Sequence, residues 1–194
     1  MKKILFAVLL LMGTSYYAQA QEHQVSVGFG APSSNHIADL FFTVAKDMIT
    51  GLAGGGSDLE NKRSVGEFRA GYAYYPTERM SVGATVSILQ TAADAVRSGT
   101  SSGEYSTRYL TFAAEGTYNY LTREKFRLYG LIGAGVTNLN ASYTGQGQNE
   151  SDNANVFNFH LSPIGAAFGR QFGGTAEVGF GYRGIVSLGL FYKF

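Results

Sequence analysis

The chain has 194 residues, with 15 Lys and Arg against 14 Asp and Glu, no cysteine, 26 glycines and 14% aromatic residues. Near-zero net charge gives no global attraction to nucleic acid, and the lack of cysteine excludes disulfides, thiolate metal sites and the lipidated N-terminal cysteine of a lipoprotein. Charged residues make up 15% of the chain, against about 25% in ordinary soluble domains, which leaves little charge for a water-facing outer surface.

The N-terminus reads as an export signal. Lys2 and Lys3 form a positive start, Ile4 to Met12 an apolar core, and Ala18-Gln19-Ala20 a small-x-small site, predicting cleavage before Gln21. Residues 1–20 are therefore assigned as a signal peptide and residues 21–194 as a single domain. Without Lys2 and Lys3 the counts become 13 basic and 14 acidic, a net of −1. No later stretch approaches the roughly 20 consecutive apolar residues of a membrane-spanning helix. If the chain crosses a membrane, it does so with strands.

Eight segments alternate with the period of two that marks a strand with unlike faces. The first is Gln24 to Ala31, with Val25, Val27 and Phe29 opposite Ser26, Gly28 and Gly30. The second, Ser64 to Tyr75, sets Phe68, Ala70, Tyr72 and Tyr74 against Glu67, Arg69, Gly71 and Ala73. After the turn Pro76 to Arg79 comes Met80 to Gln90, with Val82, Ala84, Val86 and Ile88 on one parity. The fourth, Thr107 to Leu121, carries Leu110, Phe112, Ala114, Tyr118 and Tyr120 opposite Thr111, Ala113, Glu115, Thr117 and Asn119. In the fifth, Phe126 to Tyr143, Tyr129 and Leu131 blur the contrast set by Leu128, Ile132, Ala134 and Val136.

The sixth segment, Val156 to Arg170, slips phase at Ser162-Pro163, and because proline cannot donate to a ladder a bulge is predicted there. The seventh, Thr175 to Tyr182, opposes Ala176, Val178, Phe180 and Tyr182 to Glu177, Gly179 and Gly181. The eighth ends the chain: Val186, Leu188, Leu190, Tyr192 and Phe194 alternate with Ser187, Gly189, Phe191 and Lys193. Connections run long (Pro32 to Arg63), short, long (Thr91 to Ser106), short, long (Thr144 to Asn155), short, and very short at Arg183-Gly184. Long loops on one side and short turns on the other fit an all-β, eight-stranded antiparallel up-and-down transmembrane barrel with both termini at the short-turn, periplasmic end.

The polar parity is mostly Gly, Ser, Thr and Ala, small enough to fill a narrow lumen, so the apolar parity is assigned to lipid. Tyr72, Tyr74, Tyr118, Tyr120 and Tyr192 are placed on one aromatic girdle and Tyr105, Tyr109 and Tyr182 on the other. Glu67, Arg69, Glu115, Glu177 and Arg183 form the predicted lumen charge network, with Arg69 expected to meet Glu115. In the first long loop Ile37, Leu40, Phe41, Val44, Met48 and Leu52 recur at helical spacing after Ser33 or Ser34, predicting a helix of about four turns at the outer rim. It either covers the barrel mouth, rests on headgroups or contacts a partner.

The export signal, the alternating segments, the long and short connections and the terminal FYKF together resemble the small outer-membrane β-barrel family that includes the transmembrane domain of outer-membrane protein A and opacity-type surface proteins. The resemblance implies a monomer in outer-membrane lipid, inserted by the barrel-assembly machinery, which would read the terminal strand through Leu188, Leu190, Tyr192 and Phe194. With no residues after Phe194, a peptidoglycan-binding role is not expected. His160-Leu161-Ser162 is similar to the His-x-Ser of outer-membrane lipid A deacylases, in which His activates Ser. Here Pro163 follows, His160 lies on the lumen parity, and Glu177 is the nearest later acid. No cofactor or metal spacing is present. The expected role is therefore structural or surface-interacting, with a lumen plugged by side chains; a narrow porin-like pore or hydrophobic-solute route is the alternative, and a lipid A-modifying hydrolase the third.

Overall fold

The computed structural model describes residues 22–35, 58–64, 66–97, 100–145 and 148–194. Nine strands lie within them: β1 (Glu22–Ala31), β2 (Asp58–Ser64), β3 (Glu67–Thr77), β4 (Met80–Arg97), β5 (Thr100–Arg123), β6 (Phe126–Gly145), β7 (Gln148–Gly169), β8 (Phe172–Gly181) and β9 (Val186–Lys193). β2 and β3 both pair with β4, one beyond the other, across Gly66, whose φ of +78° suits a residue without a Cβ. The nine strands thus form an eight-membered antiparallel ring.

The terminal strand closes that ring. β9 pairs with β1 from Gln24↔Lys193 to Ala31↔Val186, and His23 and Phe194 exchange backbone hydrogen bonds of 2.9 Å. β1 also pairs with β3, so neither β1 nor β9 offers a free edge along that register. Both ends of the described chain, and the turns at Glu78-Arg79, Glu124-Lys125 and Arg170-Gln171, lie at one end of the barrel, called here the terminal end.

Parity decides which side chains the ring encloses. Val27, Phe68, Val82, Phe112, Ile132, Phe159, Val178 and Leu188 face outward and are exposed, while Ser87, Thr111, Thr137, Ser162 and Ser187 face inward and are buried. A band of apolar outward side chains therefore circles an interior of small polar and charged groups. Tyr129 and Leu131, which blur the alternation of the fifth segment, are both inside. With Ala167 and Phe191 they form a small apolar cluster, Phe191 being 1% exposed.

The bulge at Ser162-Pro163 is present. Register shifts there against both neighbours, between Tyr129 and Leu131 on β6 and between Leu161 and Ile164 on β7. It keeps His160 and Ser162 inside below one phase and Gly165 and Ala167 inside above the other.

Three expectations change. The second and third long loops are for the most part strand: β4 and β5 pair from Met80↔Tyr118 out to Arg97↔Thr100, and β6 and β7 from Phe126↔Phe168 out to Gly145↔Gln148. The end of the first loop is β2. β5 has 24 residues and β7 has 22, far more than the about 9–11 needed to cross a bilayer. The three distal girdle assignments also fail: Tyr109 and Tyr182 are 2% and 0% exposed and lie inside, and Tyr105 shares the inward parity of Tyr109 on β5. Tyr182 leaves the strand alternation because Gly181 (φ +133°) and Gly184 (φ +96°) turn the backbone, so that Tyr182 and Arg183, adjacent in sequence, both enter the lumen. The helix expected through Ile37, Leu40, Phe41, Val44 and Met48 lies outside the described residues.

Candidate functional site

The lumen is packed in three layers. At the distal end, the residues that follow β1 fold back into the mouth: Asn35 donates to Glu67 (3.3 Å) and to Thr111 (3.4 Å), and Ser34 donates to Asn158 (3.0 Å). Asn158 donates in turn to Asn35 (2.9 Å) and Thr137 (2.9 Å), and the Thr111 and Thr137 hydroxyls are 2.8 Å apart. Ser87 completes the shell of Glu67 by donating to its carboxylate. Five strands and the start of the first connection thus share one buried polar layer, in which each group satisfies another.

The middle layer carries the charge. Arg183 lies 2.9 Å from the Glu177 carboxylate and 3.5 Å from that of Glu115. Glu177 also accepts from Tyr129 (2.7 Å) and Ser187 (3.2 Å), and Tyr182 donates to Glu115 (2.9 Å). Arg69 and Glu115 do not form the expected ion pair; Glu115 is taken by Arg183 and Tyr182, which the inward turn after β8 delivers. Arg69 instead lies across the seam between β1 and β9, where a Cβ added to Gly28 would sit 2.6 Å from its Cζ. Its Nη1 and both ring nitrogens of His160 are buried without a hydrogen-bond partner. A cavity of about 50 Å³ lined in part by Arg69, Glu115, Glu177 and Arg183 has room for a few waters beside Arg69.

The layer nearest the terminal end is aromatic and cationic. The Arg127 guanidinium lies 5.4 Å from the Tyr75 ring centre and 5.3 Å from that of Phe191, and donates to the Tyr75 hydroxyl (3.1 Å) and Gln24 (3.2 Å). Lys193 lies 4.4 Å from the centre of the same Tyr75 ring and pairs with Glu22. Arg127 was missed in sequence. It shares parity with Tyr129 and Leu131, the two apolar residues that hid the inward face of β6. Beyond this layer a charged vestibule of about 550 Å³ opens at the terminal end, lined by residues including Glu22, Arg123, Arg127, Lys193 and Phe194.

The His160-Leu161-Ser162 sequence does not make a nucleophile and base. Ser162 donates to the backbone carbonyls of Val178 (3.0 Å) and Ile164 (3.3 Å), and Glu177 is occupied by Arg183, Tyr129 and Ser187. Among the described residues no group of three or more His, Asp and Glu could hold a metal ion.

Outside the ring, the residues expected to form the insertion signal, Leu188, Leu190, Tyr192 and Phe194, all face outward, as does Val186. His23 stacks on Phe194 (5.7 Å between ring centres) and accepts or donates a 2.6 Å hydrogen bond with Tyr72, joining both chain ends in one aromatic cluster. Tyr118, Tyr120 and Tyr192 are exposed on the same rim.

Residues 4–190 match the outer membrane protein beta-barrel domain family. The chain belongs to that family. The apolar band is accordingly the membrane-facing surface of an outer-membrane barrel, whose strands alternate apolar-out and polar-in. Among solved structures the barrel is similar to Ail, the attachment invasion locus protein of Yersinia pestis, in complex with the heparin analogue sucrose octasulfate. That match has 16% identity and a TM-score of 0.48 over 91% of this chain and 100% of that one. It is also similar to the N-terminal β-barrel domain of Pseudomonas aeruginosa OprF, at 11% identity and a TM-score of 0.43 over 89% and 97% of the two chains. No curated protein matches the chain.

Proposed function

We propose that this outer-membrane barrel is a closed, non-enzymatic monomer that contributes to envelope integrity and presents a surface sheet to its surroundings. The observation that carries this reading is the contrast between a lumen packed with mutually bonded side chains and a sheet, β4 to β7, that runs far beyond the apolar band. On one side that sheet ends in an edge: β7 is paired with β8 only as far as His160↔Gly181, so the outer edge of its first part has no strand beside it among the described residues. An unpaired edge with Asn, Asp and Glu side chains resists self-association yet can receive another extended chain.

In this reading residues 1–20 are an export signal, both termini lie in the periplasm, and the assembly machinery recognises β9 through its outward Leu188, Leu190, Tyr192 and Phe194. Glu67, Arg69, Glu115, Glu177 and Arg183 serve as a structural plug rather than an ion path. The test is liposome swelling and planar-bilayer recording on refolded protein, with a lipid-hydrolysis assay alongside. Sugar permeation and conductance should match protein-free membranes, and no acyl chain should be released. Steady single-channel conductance of the unaltered protein would establish the narrow-pore alternative instead.

A further inference from the structure

The two rims of the barrel differ in chemistry. At the terminal end the outward rim carries Tyr72, Tyr118, Tyr120 and Tyr192, all exposed, the ordinary girdle of a phospholipid interface. At the distal end, no tyrosine or tryptophan among the described side chains faces outward; Tyr109 and Tyr182 have turned inside. Amides stand there instead. Register sets them in rows that continue the membrane-facing side: Phe112, Val136 and Phe157 lie abreast, and the next outward row is Leu110, Asn138 and Asn155. Then come Arg108, Asn140 and Asn153, and then Ser106, Ser142 and Ser151. Apolar surface gives way to amide surface within a single step of the pleat.

Asn138 donates to Asn155 (2.9 Å) and Asn140 to Asn153 (2.5 Å), so the four amides form a ladder held by its own bonds. Each pair uses one N–H and one carbonyl, which leaves further donors and acceptors alternating along the face. The amide rows begin about 7 Å along the strand from the last apolar row, at the depth of the lipid headgroup layer. Phosphate-rich headgroups alone would be met by clustered cations, and Arg108 is the single described cation in these rows. Neutral, paired donors and acceptors match the vicinal hydroxyls of sugars.

We propose that the outward face formed by Arg108, Asn138, Asn140, Asn153 and Asn155 is a contact surface for the saccharide headgroup of outer-leaflet lipid. The amides exchange hydrogen bonds with sugar hydroxyls, and Arg108 pairs with an anionic substituent of the same headgroup. The occupant follows from continuity: this face is the direct prolongation of the one that touches acyl chains, so the molecule that covers the band below also covers the ladder. The proposal rests on the orientation given under Proposed function, in which the distal end lies outside the cell.

The experiment compares refolded protein in detergent micelles binding rough lipopolysaccharide, which carries lipid A and inner-core sugars, with its binding to phosphatidylglycerol. The unaltered protein should prefer the lipopolysaccharide. The variant N138A/N140A/N153A/N155A should lose at least about tenfold of that affinity while keeping its affinity for phosphatidylglycerol and its heat-modifiable gel migration, and R108Q should lose less. Equal binding of lipopolysaccharide by the unaltered protein and the fourfold variant overturns the proposal, as does preference for phosphatidylglycerol. Equally tight binding of deacylated core oligosaccharide would overturn the lipid assignment in favour of a free glycan. The orientation is read separately, by labelling S142C on intact cells with a membrane-impermeant maleimide. Labelling supports the external face; failure to label would overturn the orientation itself, whatever the micelle result, because micelle binding does not depend on it.

Discussion

Arg183 shows how the lumen holds charge. Buried at 6% exposure, it faces Glu177 at 2.9 Å and Glu115 at 3.5 Å, and Glu177 has two further donors. Removing one partner of a buried pair leaves an uncompensated charge, at a cost of about 3–5 kcal/mol. Glu177→Ala should therefore lower stability by about that much, measured by urea unfolding in lipid vesicles, with Glu115→Ala costing less because its contact is longer. A second residue-scale test concerns Gly133, where an added Cβ would overlap the Tyr182 hydroxyl. Gly133→Ala should cost about 1–3 kcal/mol by overpacking. Tyr182→Phe removes the overlapping oxygen, so the double variant should be less destabilised than the sum of the singles.

At the scale of the element, β9 is the clearest case of a strand written in the sequence. Its outward residues meet lipid and its inward Phe191 fills the terminal-end cluster. Depth sets the effect of a charge on such a face. Leu190→Arg, near the middle of the strand, should cost about 2–4 kcal/mol, whereas Tyr192→Arg at the rim should cost about 0–1 kcal/mol. The pair is to be compared by unfolding in the same vesicles. The outer parts of β4 to β7 were not legible in the same way. Thr100 to Ser106 and Gln148 to Asn155 are polar on both parities, so no contrast marks them as strands. Hydrogen bonding to neighbours makes them strands, and those neighbours are far away in sequence.

For the whole molecule, the ring and the projecting sheet should differ in rigidity. Amides of β5 and β6 that pair inside the apolar band, such as Phe112 and Val136, should exchange slowly with deuterium, and those of Arg108 and Asn140 faster by at least about tenfold, because they lie beyond the hydrocarbon band, in the hydrated headgroup layer. Hydrogen exchange followed by mass spectrometry checks this. Uniform protection from Phe112 outward to Ser106 would mean that the projecting sheet is buried by something else. The two rims also make the molecule chemically polar along its axis, with tyrosines and His23 at one end and an asparagine ladder at the other. That polarity matches the two unlike leaflets of an outer membrane.

The eight-membered ring, the side that most of its strands turn to lipid, the bulge at Pro163 and the closing role of β9 were legible in the sequence, because they depend on the local period of two and on proline's missing N–H. The pairing of Arg183 with Glu177 and Glu115 was not, and neither was the inward turn of Tyr182. Partners across a lumen are chosen by relative height around a closed ring and by backbone reversals such as that at Gly181 and Gly184, and no local pattern records either. Arg127 was hidden for a related reason: apolar Tyr129 and Leu131 on its face made the interior of β6 look like its exterior. Alternation along one strand specifies a barrel wall, whereas the contents of the barrel are decided only when all the walls stand together.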